Sequence, residues 1–125
     1  MSQIQVIVVE DSPTQAQEIA YRLTEYDINV MIATDGPQAL RLIEEIKPQL
    51  IVLDVNLPSM SGLQVCQRLK RDEQTARIPV VMFTAADRTE DFLAGIEAGA
   101  LDYIPKDEFA AENLLGTLCR LGLLE

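Results

Sequence analysis

A chain of 125 residues fits one domain and is long enough to bury roughly two-thirds of its unfolded surface. Apolar residues make up 48% and charged residues 24%, and no stretch approaches ~20 uninterrupted apolar residues, so no membrane-spanning helix is expected. The net charge of −10, with ten scattered basic residues, leaves no footprint for a nucleic-acid backbone, and the absence of histidine removes Ser-His-Asp catalysis, Cys-His catalysis and the common zinc sites.

The chain opens with Met1-Ser-Gln-Ile-Gln-Val6, which has no basic region and runs into an apolar stretch too short and too β-branched for a signal peptide; the expected location is the cytoplasm. Ile4–Val9 is a continuous β-branched run, as suits a strand covered on both faces. Ser12-Pro13 then reads as an N-cap with proline in the first helical turn. Over Pro13–Tyr26, Ala16, Ile19, Ala20 and Leu23 recur at spacings of three and four and predict one buried stripe. Asn29–Thr34 supplies a second strand. Asp35-Gly36-Pro37 turns the chain into a helix carrying Ala39, Leu40, Ile43 and Ile46, which Lys47-Pro48 stops.

Leu50–Leu53 is the third strand, followed by a loop rich in turn formers from Asp54 to Gly62 and a helix on Leu63, Val65, Cys66 and Leu69. Ile78–Phe83 is the fourth strand. A polar stretch, Thr84–Glu90, leads to a helix with Phe92, Leu93 and Ile96, which Gly99 is placed to end in the left-handed conformation. Asp102–Ile104 is the fifth strand and Phe109–Leu121 the fifth helix. In that helix Leu114, Leu115, Leu118 and Leu121 cover more than one stripe, with Leu123 and Leu124 beyond. This excess either leaves apolar surface exposed or folds back over the end of the sheet. Cys66 and Cys119 sit in helices without a CxxC spacing and read as buried free thiols.

Five strands alternating with five helices predict an α/β fold: a doubly wound, five-stranded parallel sheet with right-handed crossovers and strand order 2-1-3-4-5, the flavodoxin-like (βα)5 architecture. Residues 1–125 are expected to form a single domain with no output domain. In such a sheet the carboxyl ends of all strands open on one rim. That rim would gather Glu10 and Asp11, Asp54, Thr84 and Lys106. Taken singly, each has an ordinary explanation: a solvated capping turn, a turn aspartate, β-propensity, a snorkelling lysine, and for Tyr103 a core aromatic. Taken together, three carboxylates converging near 4 Å repel by about 4 kcal/mol per pair at an effective dielectric near 20, unless one protonates or a cation joins them. Magnesium suits such a site, because it takes hard oxygen ligands and shares carboxylates with phosphate oxygens.

Val9-Glu10-Asp11-Ser12-Pro13, Asp54-Val-Asn-Leu-Pro58 with Met60-Ser-Gly62, Thr84-Ala85 and Asp102-Tyr103-Ile-Pro-Lys106 together resemble the receiver (CheY-like) domain of bacterial two-component response regulators, essentially end to end. The resemblance implies a phosphorylation-dependent signalling switch, which assists its own phosphorylation and dephosphorylation rather than turning over a substrate. It implies Asp54 as phosphoacceptor and Mg²⁺ held by Glu10, Asp11, Asp54 and the Asn56 backbone carbonyl. Thr84 and Lys106 would hold the phosphoryl oxygens, and Thr84 and Tyr103 would form the switch. The implied partners are a sensor histidine kinase or histidine phosphotransfer protein as donor, and a downstream protein, or a second copy in a phosphorylation-linked dimer, at the face of helix four, strand five and helix five. Neither nucleic acid nor membrane is an expected direct partner.

Three departures from the family pattern stand out: Glu10 in place of the commoner aspartate, Ser61 where aspartate is frequent, and Asp107 in place of a proline whose bond to the lysine is typically cis. Without proline a cis bond costs about 3 kcal/mol, so Lys106-Asp107 is expected to be trans, with Asp107 capping helix five and the ammonium still reaching Asp54. The rival readings are an Mg-dependent phosphatase of the haloacid-dehalogenase type, a flavodoxin-like flavin binder, and a degenerate receiver serving as a scaffold. The phosphatase reading wants an acid where Asn56 stands, and Glu10-Asp11 would repel a flavin phosphate.

Overall fold

A computed structural model describes residues 3–84 and 89–124. Ala85 of the Thr84-Ala85 pair, and most of the polar stretch after Thr84, lie outside the described residues. Strands β1 (Ile4–Val9), β2 (Ile28–Ala33), β3 (Leu50–Asp54), β4 (Val80–Thr84) and β5 (Asp102–Pro105) alternate with helices α1 (Pro13–Thr24), α2 (Gly36–Ile46), α3 (Gly62–Arg71), α4 (Thr89–Glu97) and α5 (Ala110–Arg120). All four strand pairings are parallel, in the order β2-β1-β3-β4-β5 expected from the sequence. Among the described residues no helix is long and apolar enough to cross a membrane.

Alternation along the central strands divides the core in two. Ile7, Val9, Ile51, Leu53, Val80 and Met82 point to the side covered by α2, α3 and α4. Val6, Val8, Leu50, Val52, Val81 and Phe83 point to the side covered by α1 and α5. β3 and β4 are buried at every position, as a strand roofed on both faces must be. The helices start where capping chemistry starts them. Ser12 accepts the Gln15 amide, Asp35 accepts the Gln38 amide, and Ser61 and Gln64 form a reciprocal capping box. Serine at position 61 therefore does the capping that an aspartate there would do.

Several sequence expectations are corrected. Cys66 is buried, its thiol donating to the Ala98 carbonyl, but Cys119 is exposed, because α5 turns Leu114, Thr117 and Leu118 inward and rotates its neighbour outward. Asp107 does not cap α5 directly. Its carboxylate accepts the Phe109 amide in a turn, Phe109 occupies the N-cap without a side-chain bond, and the helix begins at Ala110. The leucine-rich tail folds back: the amides of Leu123 and Leu124 both donate to the Leu118 carbonyl, and Leu115, Leu121, Leu123 and Leu124 are partly buried against the α1/α5 core.

Exposed apolar surface lies instead on α4. Phe92, Leu93 and Ile96 keep 40%, 58% and 45% of their surface in solvent. α4 docks through a small residue, Gly95, whose added Cβ would come within 2.8 Å of Met82 Cγ, and Ala98 in the turn after the helix is buried in the same core.

No cis peptide occurs in the described chain, so Lys106-Asp107 is trans as expected. Pro105 is tolerated without an amide because β5 is the sheet edge. In the loop after β3, Ser59 has φ +71° and the Met60 amide donates to the Pro58 carbonyl at 2.8 Å, a strained three-residue turn. Ser59→Gly is expected to raise stability by about 0.5–1 kcal/mol, since relief of left-handed strain outweighs the added freedom of the unfolded chain. A urea midpoint at or below that of the wild type would contradict this.

Candidate functional site

β1 delivers Glu10 to the rim with its amide still hydrogen-bonded to Ala33 O, and leaves its side chain 1% exposed. A buried carboxylate needs partners, and it has them: Oε2 accepts the Ser12 amide at 3.0 Å, and Oε1 lies 2.6 Å from the Lys106 ammonium. Asp11, the next residue, is exposed. Asp54 ends β3 at 3% exposure. Its Oδ1 accepts the Asn56 amide at 3.0 Å and its Oδ2 accepts from Lys106 Nζ at 2.9 Å. One oxygen each of Glu10, Asp11 and Asp54 can be chosen so that all lie within 4.8 Å of one another.

Lys106 is aimed by the sheet. Its amide donates to Thr84 O at 2.7 Å, extending the β4–β5 ladder one step beyond the strand, and its ammonium stands 5.4 Å from the centre of the Phe83 ring. Burial works against the charged form, but the hydrogen bonds and charges of Glu10 and Asp54 prevail and hold the ammonium above its ordinary value of 10.5. Thr84 is fully buried, and its hydroxyl has no hydrogen-bond partner among the described residues. An orphaned buried hydroxyl costs about 1–3 kcal/mol, and Thr84 carries this one at the carboxyl end of β4.

The arrangement therefore gathers Glu10, Asp11, Asp54, Thr84 and Lys106 on the carboxyl ends of β1, β3, β4 and β5. Asn56 joins them through its backbone amide on Asp54, with its side chain exposed. Tyr103 lies one turn of the pleat before Pro105, on the α4 side of the sheet, with its ring edge-on to Phe92. Phe83 escaped the sequence reading. The signal was present, since alternation places the residue before Thr84 on the α5 side, where the lysine stem passes. One ammonium offsets one of three carboxylates, so the cluster retains excess negative charge. Its donors are all hard oxygens, the set that magnesium or calcium takes and that zinc or copper does not favour. The residues present thus fit a hard divalent cation.

A hollow of about 650 Å³ along the outer surface of α1, lined by Pro13, Gln17 and Tyr21 among others, holds none of the acidic cluster. The acidic cluster lies elsewhere, at the carboxyl edge of the sheet, where Asp11 meets solvent.

Residues 6–118 match the family profile described as Response regulator receiver domain. The chain is 38% identical over 110 residues, 88% of its length, to the DNA-binding dual master transcriptional regulator RpaA of Synechocystis, of which those residues make up 45%; it spans less than half the length of the curated relatives it matches first. Among solved structures, a putative response regulator from Chloroflexus aurantiacus superposes with a TM-score of 0.90 at 29% identity, covering 96% of this chain and 98% of that one. The receiver domain of a sensor histidine kinase from Pseudomonas aeruginosa, solved with a magnesium ion coordinated in its active site cleft, superposes with a TM-score of 0.86 at 28% identity, covering 95% and 97%. With the profile spanning almost the whole sheet and the acidic rim in place, the chain belongs to the response regulator receiver domain family.

Proposed function

We propose that this chain is a phosphorylation-dependent switch whose phosphoacceptor is Asp54. The observation that carries the reading is a nearly buried carboxylate at the end of the central strand, held by Lys106 and flanked by Glu10 and Asp11. An Asp54 carboxylate oxygen attacks phosphorus in line, the new P–O bond forms as the donor's P–N or P–O bond breaks, and the leaving group departs with the bonding pair. A partner's phosphohistidine, or a small acyl phosphate, is the donor. The Lys106 ammonium, already 2.9 Å from Asp54, stabilises charge on the transferred group, and the unpartnered Thr84 hydroxyl donates to one of its oxygens. Glu10, Asp11 and Asp54, with the Asn56 carbonyl, would hold magnesium, as the Pseudomonas domain's cleft does. The bound ion supplies charge neutralisation at the phosphoryl oxygens.

The transfer is self-phosphorylation rather than turnover of a substrate, and it belongs in the cytoplasm with a histidine kinase or phosphotransfer partner. Output passes through the face of α4, β5 and α5, where Phe92, Leu93, Ile96 and Leu101 present apolar surface to a downstream protein or a second copy.

With acetyl phosphate and magnesium, intact-mass spectrometry should show one phosphoryl adduct on the wild type and none on Asp54→Asn; an adduct on the variant would overturn the assignment. Magnesium binds the folded site alone, so a hundredfold excess over Kd should add about 2.7 kcal/mol of stability. An unchanged melting temperature with magnesium would refute the metal site.

A further inference from the structure

The apolar residues of α4 face outward, yet one of them has a partner. The Phe92 ring meets the Tyr103 ring edge-on, with centroids 5.5 Å apart and planes at 84°. Alternation along the edge strand turns Ile104 toward α5 and Tyr103 toward α4, and on β4 it turns Thr84 to the same side as Met82, the residue in register with Tyr103. Phe92, Tyr103 and the unpartnered Thr84 hydroxyl therefore share the α4 side of the β4–β5 pair.

An edge-to-face contact between the exposed Phe92 ring and the partly buried Tyr103 ring has strict geometry and is lost when either ring turns. We propose that Phe92 is a positioning residue for the Tyr103 ring: it holds that ring in the edge-on orientation seen here and so sets how far the chain lies toward the signalling conformation before Asp54 is modified. This rests on the reading of Thr84 and Tyr103 as the switch pair. A contact present in one conformation and absent from the other biases the equilibrium by its full strength, a factor of roughly 2 to 10 for a ring pair of this kind.

The test uses the whole chain with 3-fluorotyrosine at its three tyrosines. Tyr21 and Tyr26 are exposed, on and just after α1, and serve as internal references; the Tyr103 signal is assigned with Tyr103→Phe. Beryllofluoride with magnesium is the probe. In the wild type the Tyr103 fluorine resonance should move on titration. In Phe92→Ala it should start displaced toward that endpoint, and half-saturation should need roughly 2- to 10-fold less beryllofluoride. Phe92→Tyr, which keeps the ring, should behave as wild type, and Phe92→Leu, which keeps apolar bulk without a ring, should fall between.

If the wild-type resonance moves and both Phe92→Ala and Phe92→Leu titrate from the wild-type position with wild-type midpoints, the positioning role is overturned and the switch reading stands. If the wild-type Tyr103 signal does not move while Asp54 still takes a phosphoryl group, the switch reading fails and this role fails with it.

Discussion

Gly62→Ala is expected to cost about 4 kcal/mol or more, a large part of the 5–15 kcal/mol that holds a domain folded. A Cβ built on Gly62 falls 2.0 Å from the Asp54 carbonyl oxygen, 2.9 Å from its carbon and 3.0 Å from Val55 Cα. These are backbone atoms of the last core residue of β3 and its neighbour, and they have no rotamer by which to give way. The Gly62 amide also donates to Val55 O at 2.8 Å, which fixes the start of α3 against the strand end. Any relief must move either the helix or the residue that carries the candidate phosphoacceptor. Urea unfolding should show the loss directly, and acetyl phosphate labelling should fall even in the fraction that stays folded. Gly116→Ala is the control: it lies within α5, where a Cβ would meet only Arg120 Nη1 at 3.5 Å, so the same change should stabilise by about 1 kcal/mol through helix propensity. A Gly62→Ala midpoint within about 1 kcal/mol of wild type would contradict the clash.

Much of the fold was legible because its signals are local. The β-branched run Ile4–Val9, the stripes of α1 and α2, and the caps at Ser12 and Asp35 each decide their element within a few residues, and strand order follows from connection rules. What escaped depends on partners distant in sequence. Phe92, Leu93 and Ile96 have the hydrophobicity of a buried stripe, but α4 turns the other way, with Gly95 packed tightly against Met82. Cys119 is exposed by the choice of Leu114 and Leu118 as the inward pair, which helical spacing in a leucine-rich segment cannot settle. The fold-back of Leu123 and Leu124 was one of the two arrangements the sequence left open, and what decides between them is one carbonyl, Leu118 O.

At the candidate site the residue types and their convergence were legible, while the wiring was not. Nothing in a sequence says that Lys106 divides its ammonium between Glu10 and Asp54, or that Glu10 is the more deeply buried acid and Asp11 the exposed one. Those outcomes come from the ladder bond between the Lys106 amide and Thr84 O, which sets where the lysine stem starts, and from the Ser12 amide, which draws the Glu10 carboxylate inward.

Lys106→Met is the second change of large expected effect. It keeps the apolar stem over Phe83 and removes the cation between two carboxylates, one 1% and the other 4% exposed in its side chain. Breaking a buried pair from one side costs about 3–5 kcal/mol, and the lower end applies because 19% of the lysine side chain meets solvent. The wild type adds a pH signature. Its ammonium is held above 10.5 in the folded chain, so the folded state keeps this proton more tightly than the unfolded one. The stabilisation is therefore complete below 10.5 and drains away as pH climbs through the raised folded value. Urea midpoints taken from neutral to strongly alkaline pH should show this decline in the wild type beyond any shared background. Lys106→Met should be less stable at neutral pH and lack that component. Magnesium should raise the variant's melting temperature by more than the wild type's, because a divalent cation then supplies the only positive charge among Glu10, Asp11 and Asp54. Equal neutral-pH stability, or an undiminished alkaline decline in the variant, would show that the ammonium does not hold these carboxylates together.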